Sequence, residues 1–166
     1  MKYFLVGFMG SGKSTIGKLL SERLNINYFD LDDVIQEQEN KSISEIFSIN
    51  GEDYFRIIEK KYLNQLMKED QFIISTGGGT PMSNYMIDLM QKNGVCIYLK
   101  CSSEILFNRL KNNKNKRPLI SNLSEKNLKL FIEKTLAERK MFYEKSEHIF
   151  CNNTEKEKIE IINFLG

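Results

Sequence analysis

The stretch GFMGSGKST, residues 7–15, follows directly on the apolar run YFLV, residues 3–6. It has the form G-x-x-x-x-G-K-[ST], in which glycines let successive backbone N–H groups point at phosphate oxygens at the start of a helix. Between a strand and a helix, this motif predicts a loop that binds a nucleoside triphosphate. The expected nucleotide-binding residues are Gly10, Ser11, Gly12, Lys13, Ser14 and Thr15, with Lys13 on the β- and γ-phosphates and Ser14 on Mg²⁺.

Outside this loop, apolar runs of strand length alternate with segments of helical period along all 166 residues. This pattern predicts an α/β fold in a single domain, 1–166, with a doubly wound, mainly five-stranded parallel sheet and helices on both faces. Residues 112–123 have no apolar period and are expected to form a mobile lid. The expected strands are 3–6, 28–29, 72–75, 95–99 and 149–151, and the expected helices are 14–24, 31–39, 42–49, 52–68, 84–92, 104–111, 125–145 and 155–164.

Composition and charge exclude several classes of protein. Hydrophobic residues make up 41% of the chain and charged residues 28%, and no apolar run is long enough to span a membrane, so no membrane partner is expected. A net charge of +2 is too small to indicate a nucleic-acid partner. The three cysteines lack C-x-x-C or zinc-like spacing, and the first residues lack signal-peptide features. We expect a cytoplasmic monomer.

The carboxylate for magnesium has to be found at another strand end. The strands expected at 72–75 and 95–99 both end without one, whereas the strand at 28–29 runs into Asp30, Leu31, Asp32 and Asp33. If this segment stays extended, Asp30 and Asp32 point the same way, so one can serve Mg²⁺ and the other can accept a hydroxyl proton. Asp33 is expected to cap the following helix. No guanine-reading N-K-x-D motif follows, which argues against a GTP switch.

Glycines and arginines indicate a second ligand beside the nucleotide. Gly77, Gly78 and Gly79 follow the strand at 72–75, and three successive glycines favour close approach of a ligand to the backbone. Arg139 interrupts an apolar helical stripe, and Arg56 lies beside another stripe with Glu59 three residues on. Each arginine can belong to an internal ion pair, but two of them suggest a carboxylate or phosphate on the acceptor. Arg117, in the lid, can neutralise charge on the transferring group.

The sequence resembles the shikimate kinases, small relatives of the nucleoside monophosphate kinases, over residues 7–144. The resemblance is carried by GFMGSGKST, FDLDD, SISEIF, GEDYFRIIE, STGGGTP, RPLI and LAERKMFYE, in that order. It implies a P-loop kinase fold and ATP- and Mg²⁺-dependent phosphorylation of the 3-hydroxyl of shikimate, a step of aromatic amino acid (chorismate) biosynthesis.

The resemblance also implies a role for each matched residue. Asp32 would hold the acceptor hydroxyl, Asp30 would lie near Mg²⁺, and Arg109 would lie near the adenine. Catalysis would use Lys13, Asp32 and Arg117, with Arg117 closing over both substrates. Shikimate would be bound by helices within 31–68 and by Asp32, Arg56, Gly77, Gly78, Gly79 and Arg139. Two positions depart from the family pattern: Ile57 replaces a frequent second arginine, and residues 153–156 lack a proline often found beside the adenine.

Two other functions fit parts of this pattern. A kinase of another small acceptor, such as gluconate or a nucleoside monophosphate, would share the fold but would not need two arginines beside an aspartate pair. A nucleotide-dependent binding module would bind ATP without acceptor-stimulated release of ADP.

Overall fold

The computed structural model describes residues 1–112, 117 and 119–166, and the predicted alternation of strands and helices is confirmed there. Most predicted boundaries lie within two residues of those observed. The elements are β1 (Lys2–Val6), α1 (Lys13–Leu24), β2 (Asn27–Asp30), α2 (Leu31–Glu39), α3 (Ile43–Leu66), β3 (Phe72–Ser75), α4 (Asn84–Asn93), β4 (Val95–Lys100), α5 (Ser103–Lys111), α6 (Glu125–Tyr143), β5 (His148–Cys151) and α7 (Glu155–Leu165).

The five strands form one parallel sheet in the order β2-β3-β1-β4-β5, which confirms the predicted fold class. The central strand β1 pairs with both β3 and β4, so that Phe4 lies opposite Ile74 on one side and Cys96 on the other. Because all strands run the same way, their carboxyl ends meet at one edge of the sheet. Ligands of such sheets bind at this edge.

Alternating side chains of the central strands separate two apolar layers. Phe4 and Val6 face one layer, which is formed with buried residues of α2, α3 and α4, whereas Leu5 faces the other layer, with α1 and α7. A third cluster joins α5 and α6 to Phe8, in the phosphate loop. Both faces of the sheet are therefore covered, as the continuous apolar strands predict. In the described ranges, no helix combines the length and apolar character needed to cross a membrane.

The helix α3 is divided by a break at Gly51, where φ is 81° and ψ is 173°. This break agrees with the two helices expected at 42–49 and 52–68. This backbone conformation is open essentially to glycine alone. The first half is fixed by Ser42 and Glu45, which form a capping box in which each side chain accepts a backbone N–H of the other.

The predicted lid lies only partly within the described residues, because 113–116 and 118 fall outside them. Ile120 is fully buried in the cluster of α5 and α6, and its N–H donates to the carbonyl of Arg117 at 3.0 Å. Leu119 is 64% exposed. Among the described residues of this segment, Ile120 is thus an anchor to the core.

The break in α3 provides a test of backbone strain. A Cβ at Gly51 would meet no atom within 4 Å, so Gly51→Ala isolates the conformational cost, roughly 1–3 kcal/mol. We expect the melting temperature to fall by roughly 2–10 °C, measured by calorimetry. The neighbouring helical substitution Asn50→Ala should leave it nearly unchanged. An equal melting temperature for Gly51→Ala and wild type would contradict the observed φ at residue 51.

Candidate active site

A cavity of about 380 Å³ opens at the carboxyl edge of the sheet, above β1, β3 and β5. Most of the predicted nucleotide and catalytic residues line it, whereas Ser11, Arg56, Gly79 and Arg139 do not. The lining residues are Met9, Gly10, Gly12, Lys13, Ser14, Thr15, Asp30, Asp32, Thr76, Gly77, Gly78, Arg109, Arg117, Asn152, Glu155 and Lys158.

The phosphate loop is closed around the ammonium group of Lys13. Lys13 Nζ donates to the carbonyl of Gly7 at 2.8 Å and to that of Phe8 at 3.1 Å. Desolvation lowers the pKa of Lys13 to about 8, although the nearby carboxylates of Asp32 and Asp30 oppose this shift. An anion bound beside Lys13 would oppose this effect of desolvation and favour the charged form of the lysine.

Ser11 occupies a different place from its predicted neighbours in the loop. Its side chain is buried, its Oγ has no hydrogen-bond partner among the described residues, and its N–H donates to the carbonyl of Phe8 at 3.1 Å. The Ser11 carbonyl accepts a hydrogen bond from Asn152 Nδ2 at 2.7 Å. Ser11 therefore contributes to the shape of the loop, and its side chain does not reach the cavity.

Asp30 and Asp32 both reach the cavity, but the extended segment expected between them is not present. The strand ends at Asp30, which is the N-cap of α2 and accepts the N–H of Asp32 at 3.2 Å. The predicted cap, Asp33, instead lies in the first turn of the helix. The phase argument for the aspartate pair was therefore wrong, because the helix begins one residue after the strand ends.

The Asp30 carboxylate faces the start of α1. Ser14 Oγ donates to Asp30 Oδ2 at 2.9 Å, and the Tyr28 hydroxyl lies 3.3 Å from the same oxygen and 3.1 Å from Ser75 Oγ. Two oxygens suited to magnesium, from Ser14 and Asp30, thus lie side by side. Within the described ranges, no group of three or more histidine, cysteine or acidic residues could hold a metal.

Asp32 lies in an unfavourable environment for a charge. Desolvation raises its pKa to about 6, and the negative charges of Asp30 and Glu59 act in the same direction, while Lys13 opposes them. A carboxylate with a pKa in this range can accept a proton near neutral pH and release it again afterwards.

Three side chains of different elements approach the triplet Gly77–Gly78–Gly79. A Cβ at Gly77 would lie 3.0 Å from Asp32 Oδ1, one at Gly78 would lie 2.9 Å from Arg139 Nη1, and one at Gly79 would lie 2.7 Å from Arg56 Nη2. The protein's own side chains thus approach the triplet closely, and the predicted approach of a ligand to this backbone stays a prediction. The triplet brings both arginines next to the cavity.

The two arginines differ in their partners. Arg56 forms ion pairs with Glu59 at 2.9 Å and Glu52 at 3.0 Å, as the i,i+3 spacing to Glu59 predicted. Glu59 is buried and also accepts the Thr80 hydroxyl at 2.6 Å. In the part of the chain that the structure describes, Arg139 has no carboxylate within ion-pair distance.

Arg139 is held by aromatic residues instead. Its guanidinium lies 5.8 Å from the centre of the Phe8 ring, and it is near enough to the Tyr143 hydroxyl to oppose the rise in the pKa of Tyr143 that burial causes. Tyr143 is fully buried and donates to the carbonyl of Gly78 at 2.6 Å. The positive charge is therefore oriented without being neutralised.

Arg109 and Arg117 lie on the other side of the cavity. Arg109 donates to the carbonyls of Gly10 at 3.2 Å and Asn152 at 2.8 Å, which joins α5 to the phosphate loop and to the end of β5. Arg117 lines the cavity near enough to Lys13 for its charge to lower the pKa of that lysine. Ile57 is 67% exposed, so the missing second arginine leaves these contacts unchanged.

Sequence reasoning missed several residues that shape the site. Asn152 directly follows β5. A polar residue at the carboxyl end of a parallel strand is the sequence signal that could have identified it. Tyr28 and Tyr143 carry polar groups on otherwise apolar segments and have no motif of their own. Glu155 and Lys158 line the cavity from the first turn of α7, and Glu155 lies within the segment 153–156, where the family pattern is absent.

Comparisons with known proteins agree on one family. The family model for shikimate kinase matches residues 9–165. A shikimate kinase of Azobacteroides pseudotrichonymphae genomovar. CFP2 is 41% identical over 150 residues, which cover 90% of this chain and 88% of that protein. The crystal structure of shikimate kinase from Bacteroides thetaiotaomicron has a TM-score of 0.93 at 32% identity, covering 99% of this chain and 96% of the other. The structure of shikimate kinase from Acinetobacter baumannii in complex with shikimate has a TM-score of 0.88 at 27% identity, covering 99% and 89%.

The environment of Asp32 predicts a measurable cost in stability. Its pKa is raised from 3.8 to about 6, so the folded state binds more protons than the unfolded state between these values, and stability falls as pH rises through this window. Asp32→Asn removes the charge. We expect the free energy of unfolding to increase by about 2–3 kcal/mol at pH 8 and to change little at pH 4, measured by urea unfolding.

Asp88→Asn, on the exposed side of α4, is the matched control and should have little effect at either pH. If Asp32→Asn were destabilising at pH 8, Asp32 would be paired favourably in the folded protein and the proposed cost of its charge would be disproved.

Proposed function

The chain belongs to the shikimate kinase family, and on that premise we propose which of its residues carry out the ATP-dependent phosphorylation of the shikimate 3-hydroxyl. The observation that carries the proposal is that Lys13, Asp32 and Arg117 line one cavity with the phosphate loop. An alcohol phosphotransferase needs these three functions in one place: a cation on the β- and γ-phosphates, a proton acceptor, and a second cation on the transferring group.

The reaction uses Asp32 as the general base. The shikimate hydroxyl oxygen attacks the γ-phosphorus, and the bond from the γ-phosphorus to the bridging oxygen breaks. ADP leaves with that electron pair, and the hydroxyl proton passes to Asp32. Lys13 and Arg117 stabilise the charge on the transferring phosphoryl group. The phosphate loop includes Gly10, Ser11, Gly12 and Thr15. Arg109 borders the nucleotide.

The residues present fit magnesium bound with the nucleotide. Mg²⁺ in kinases keeps several waters and phosphate oxygens and takes only one or two protein ligands, so the adjacent oxygens of Ser14 and Asp30 are sufficient. When bound, Mg²⁺ would neutralise phosphate charge. The direct link between Ser14 and Asp30 supports a site in which Ser14 is a ligand and Asp30 acts directly or through water.

The acceptor binds on the side of β2 and β3. We assign the shikimate carboxylate to Arg139, which has an oriented but unneutralised guanidinium, and to Arg56, whose charge is shared with Glu52 and Glu59. The main chain of Gly77, Gly78 and Gly79 lies between these arginines and Asp32. Helices α2 and α3, within 31–68, provide the remaining wall.

The cellular location, oligomeric state, domain organisation and partners of the protein are also proposals. We propose a cytoplasmic monomer with a single kinase domain, 1–166, that binds ATP and shikimate and has no nucleic-acid or membrane partner. The small net charge of +2 supports the absence of a nucleic-acid partner. Closure of the lid over 112–123 stays a prediction that rests on Arg117 and on the anchor at Ile120.

The acceptor is tested by measuring ADP release in a coupled assay with shikimate, gluconate or AMP. We expect shikimate alone to stimulate release strongly. Faster release with gluconate or AMP would assign another acceptor, and binding of ATP without stimulation by any acceptor would favour a nucleotide-dependent binding module.

Asp32→Asn tests the general base. The substitution keeps the shape of the side chain but removes the proton acceptor, so turnover should fall by roughly 10²-fold or more while the protein stays folded. Asp33→Asn, one residue on and outside the cavity, is the comparison. If Asp33→Asn proved the more damaging change, the base would be misassigned.

Arg139→Lys tests the carboxylate contact, because lysine keeps the charge but loses the planar fork that binds a carboxylate through two bonds. We expect the KM for shikimate to rise at least roughly tenfold, equivalent to about 1.4 kcal/mol, with little change in the KM for ATP. An analogue with a neutral amide in place of the carboxylate should be a poor substrate of the wild type, and Arg139→Lys should add little further loss. Independent losses from the amide and the substitution would mean that the carboxylate is bound elsewhere.

A further inference from the structure

We propose that Asn152 is a positioning residue that directs the N–H of Gly12 toward the nucleotide phosphates. This inference rests on the proposed nucleotide site but concerns a residue outside the phosphate-loop motif, 140 positions further along the chain than Gly12. Asn152 follows the edge strand β5 and is buried, with 3% of its surface exposed.

The direction of Gly12 N–H is set by the peptide group that it shares with Ser11. A trans peptide is planar, so the carbonyl of one residue and the N–H of the next point in opposite directions. Asn152 Nδ2 holds the Ser11 carbonyl at 2.7 Å on the side of β5. Gly12 N–H therefore points away from Asn152, and none of the described residues accepts a hydrogen bond from it.

The contact also explains the residue type at position 12. A Cβ at Gly12 would lie 2.6 Å from Asn152 Nδ2, and Gly12 has a φ of +95°. The amide of Asn152 thus fills the space next to the loop that a side chain at residue 12 would occupy. Leucine or aspartate at position 152 would fill similar volume but could not donate to the Ser11 carbonyl.

The main chain of Asn152 is held in place from three directions. Its N–H donates to the carbonyl of Lys100 at 2.9 Å, and its carbonyl accepts from Arg109 Nη2 at 2.8 Å and from the Cys101 thiol at 3.0 Å. The next residue, Asn153, is fixed by Glu157, which accepts its N–H at 2.8 Å. A side chain on such a rigid support can impose its orientation on the loop.

This role predicts a specific pattern of nucleotide binding. ADP carries the β-phosphate that the loop is proposed to bind, whereas AMP lacks it. A misoriented Gly12 N–H should therefore weaken the binding of ADP and leave the binding of AMP nearly unchanged. For Asn152→Leu we expect the dissociation constant of ADP to rise at least roughly tenfold, and that of AMP to change less than twofold, measured by titration calorimetry and ligand-observed NMR without acceptor. The KM for shikimate at saturating ATP should stay within about twofold.

Asn153→Leu is the matched control, because it removes the amide of the adjacent residue, which contacts Ser102 and not the loop. Asn153→Leu should leave the ratio of the dissociation constants of ADP and AMP unchanged. If Asn152→Leu does not fold, the pair Asn152→Ala and Asn153→Ala replaces it, since both remove a side-chain amide without adding charge and only the first removes the donor to Ser11.

The proposal would be overturned if the variant at 152 had an unchanged dissociation constant for ADP, or if its affinities for ADP and AMP fell equally. Asn152 would then be a packing residue. Because the assay contains no acceptor, this result is independent of whether shikimate is the substrate.

Discussion

The two hydrogen bonds from Lys13 Nζ to the carbonyls of Gly7 and Phe8 are the interaction on which the site depends. An ammonium group that has lost most of its water needs acceptors, and the loop supplies them by turning carbonyls inward. Further along the loop, the N–H of Gly12 points away from Asn152. A phosphate entering the cavity thus meets a cation and donors that are already oriented, and little reorganisation is left for the reaction itself.

Charge is distributed unevenly across the cavity, and the imbalance suits phosphoryl transfer. Asp30, Asp32 and Glu59 crowd the side of β2 and β3, and desolvation, together with the negative charges of Asp30 and Glu59, raises the pKa of Asp32. Arg56 and Arg139 lie beside Gly79 and Gly78, and Arg139 keeps its charge unneutralised beside the Phe8 ring. An isolated folded protein would be more stable without such an arrangement, and costs of this kind concentrate at functional sites.

Local sequence patterns predicted most of the fold, because strands covered on both faces are apolar throughout and helices repeat every 3.6 residues. The phosphate loop, Lys13 and the Arg56–Glu59 contact were predicted for the same reason, since each depends on short spacings along the chain. The helix start at Leu31 overturned the extended geometry assumed for Asp30 and Asp32. Asn152 and Tyr143 were missed because their partners, Ser11 and Gly78, are far away in sequence. Only the assembled sheet brings those pairs together.

The glycine triplet has a genetic consequence. Three successive codons, for Gly77, Gly78 and Gly79, are each constrained by a side chain from a different helix: Asp32 of α2, Arg139 of α6 and Arg56 of α3. Missense alleles at adjacent sites would therefore fall into separate phenotypic classes, one for Asp32 and one for each arginine. Suppressors of these alleles would map to three distant parts of the gene.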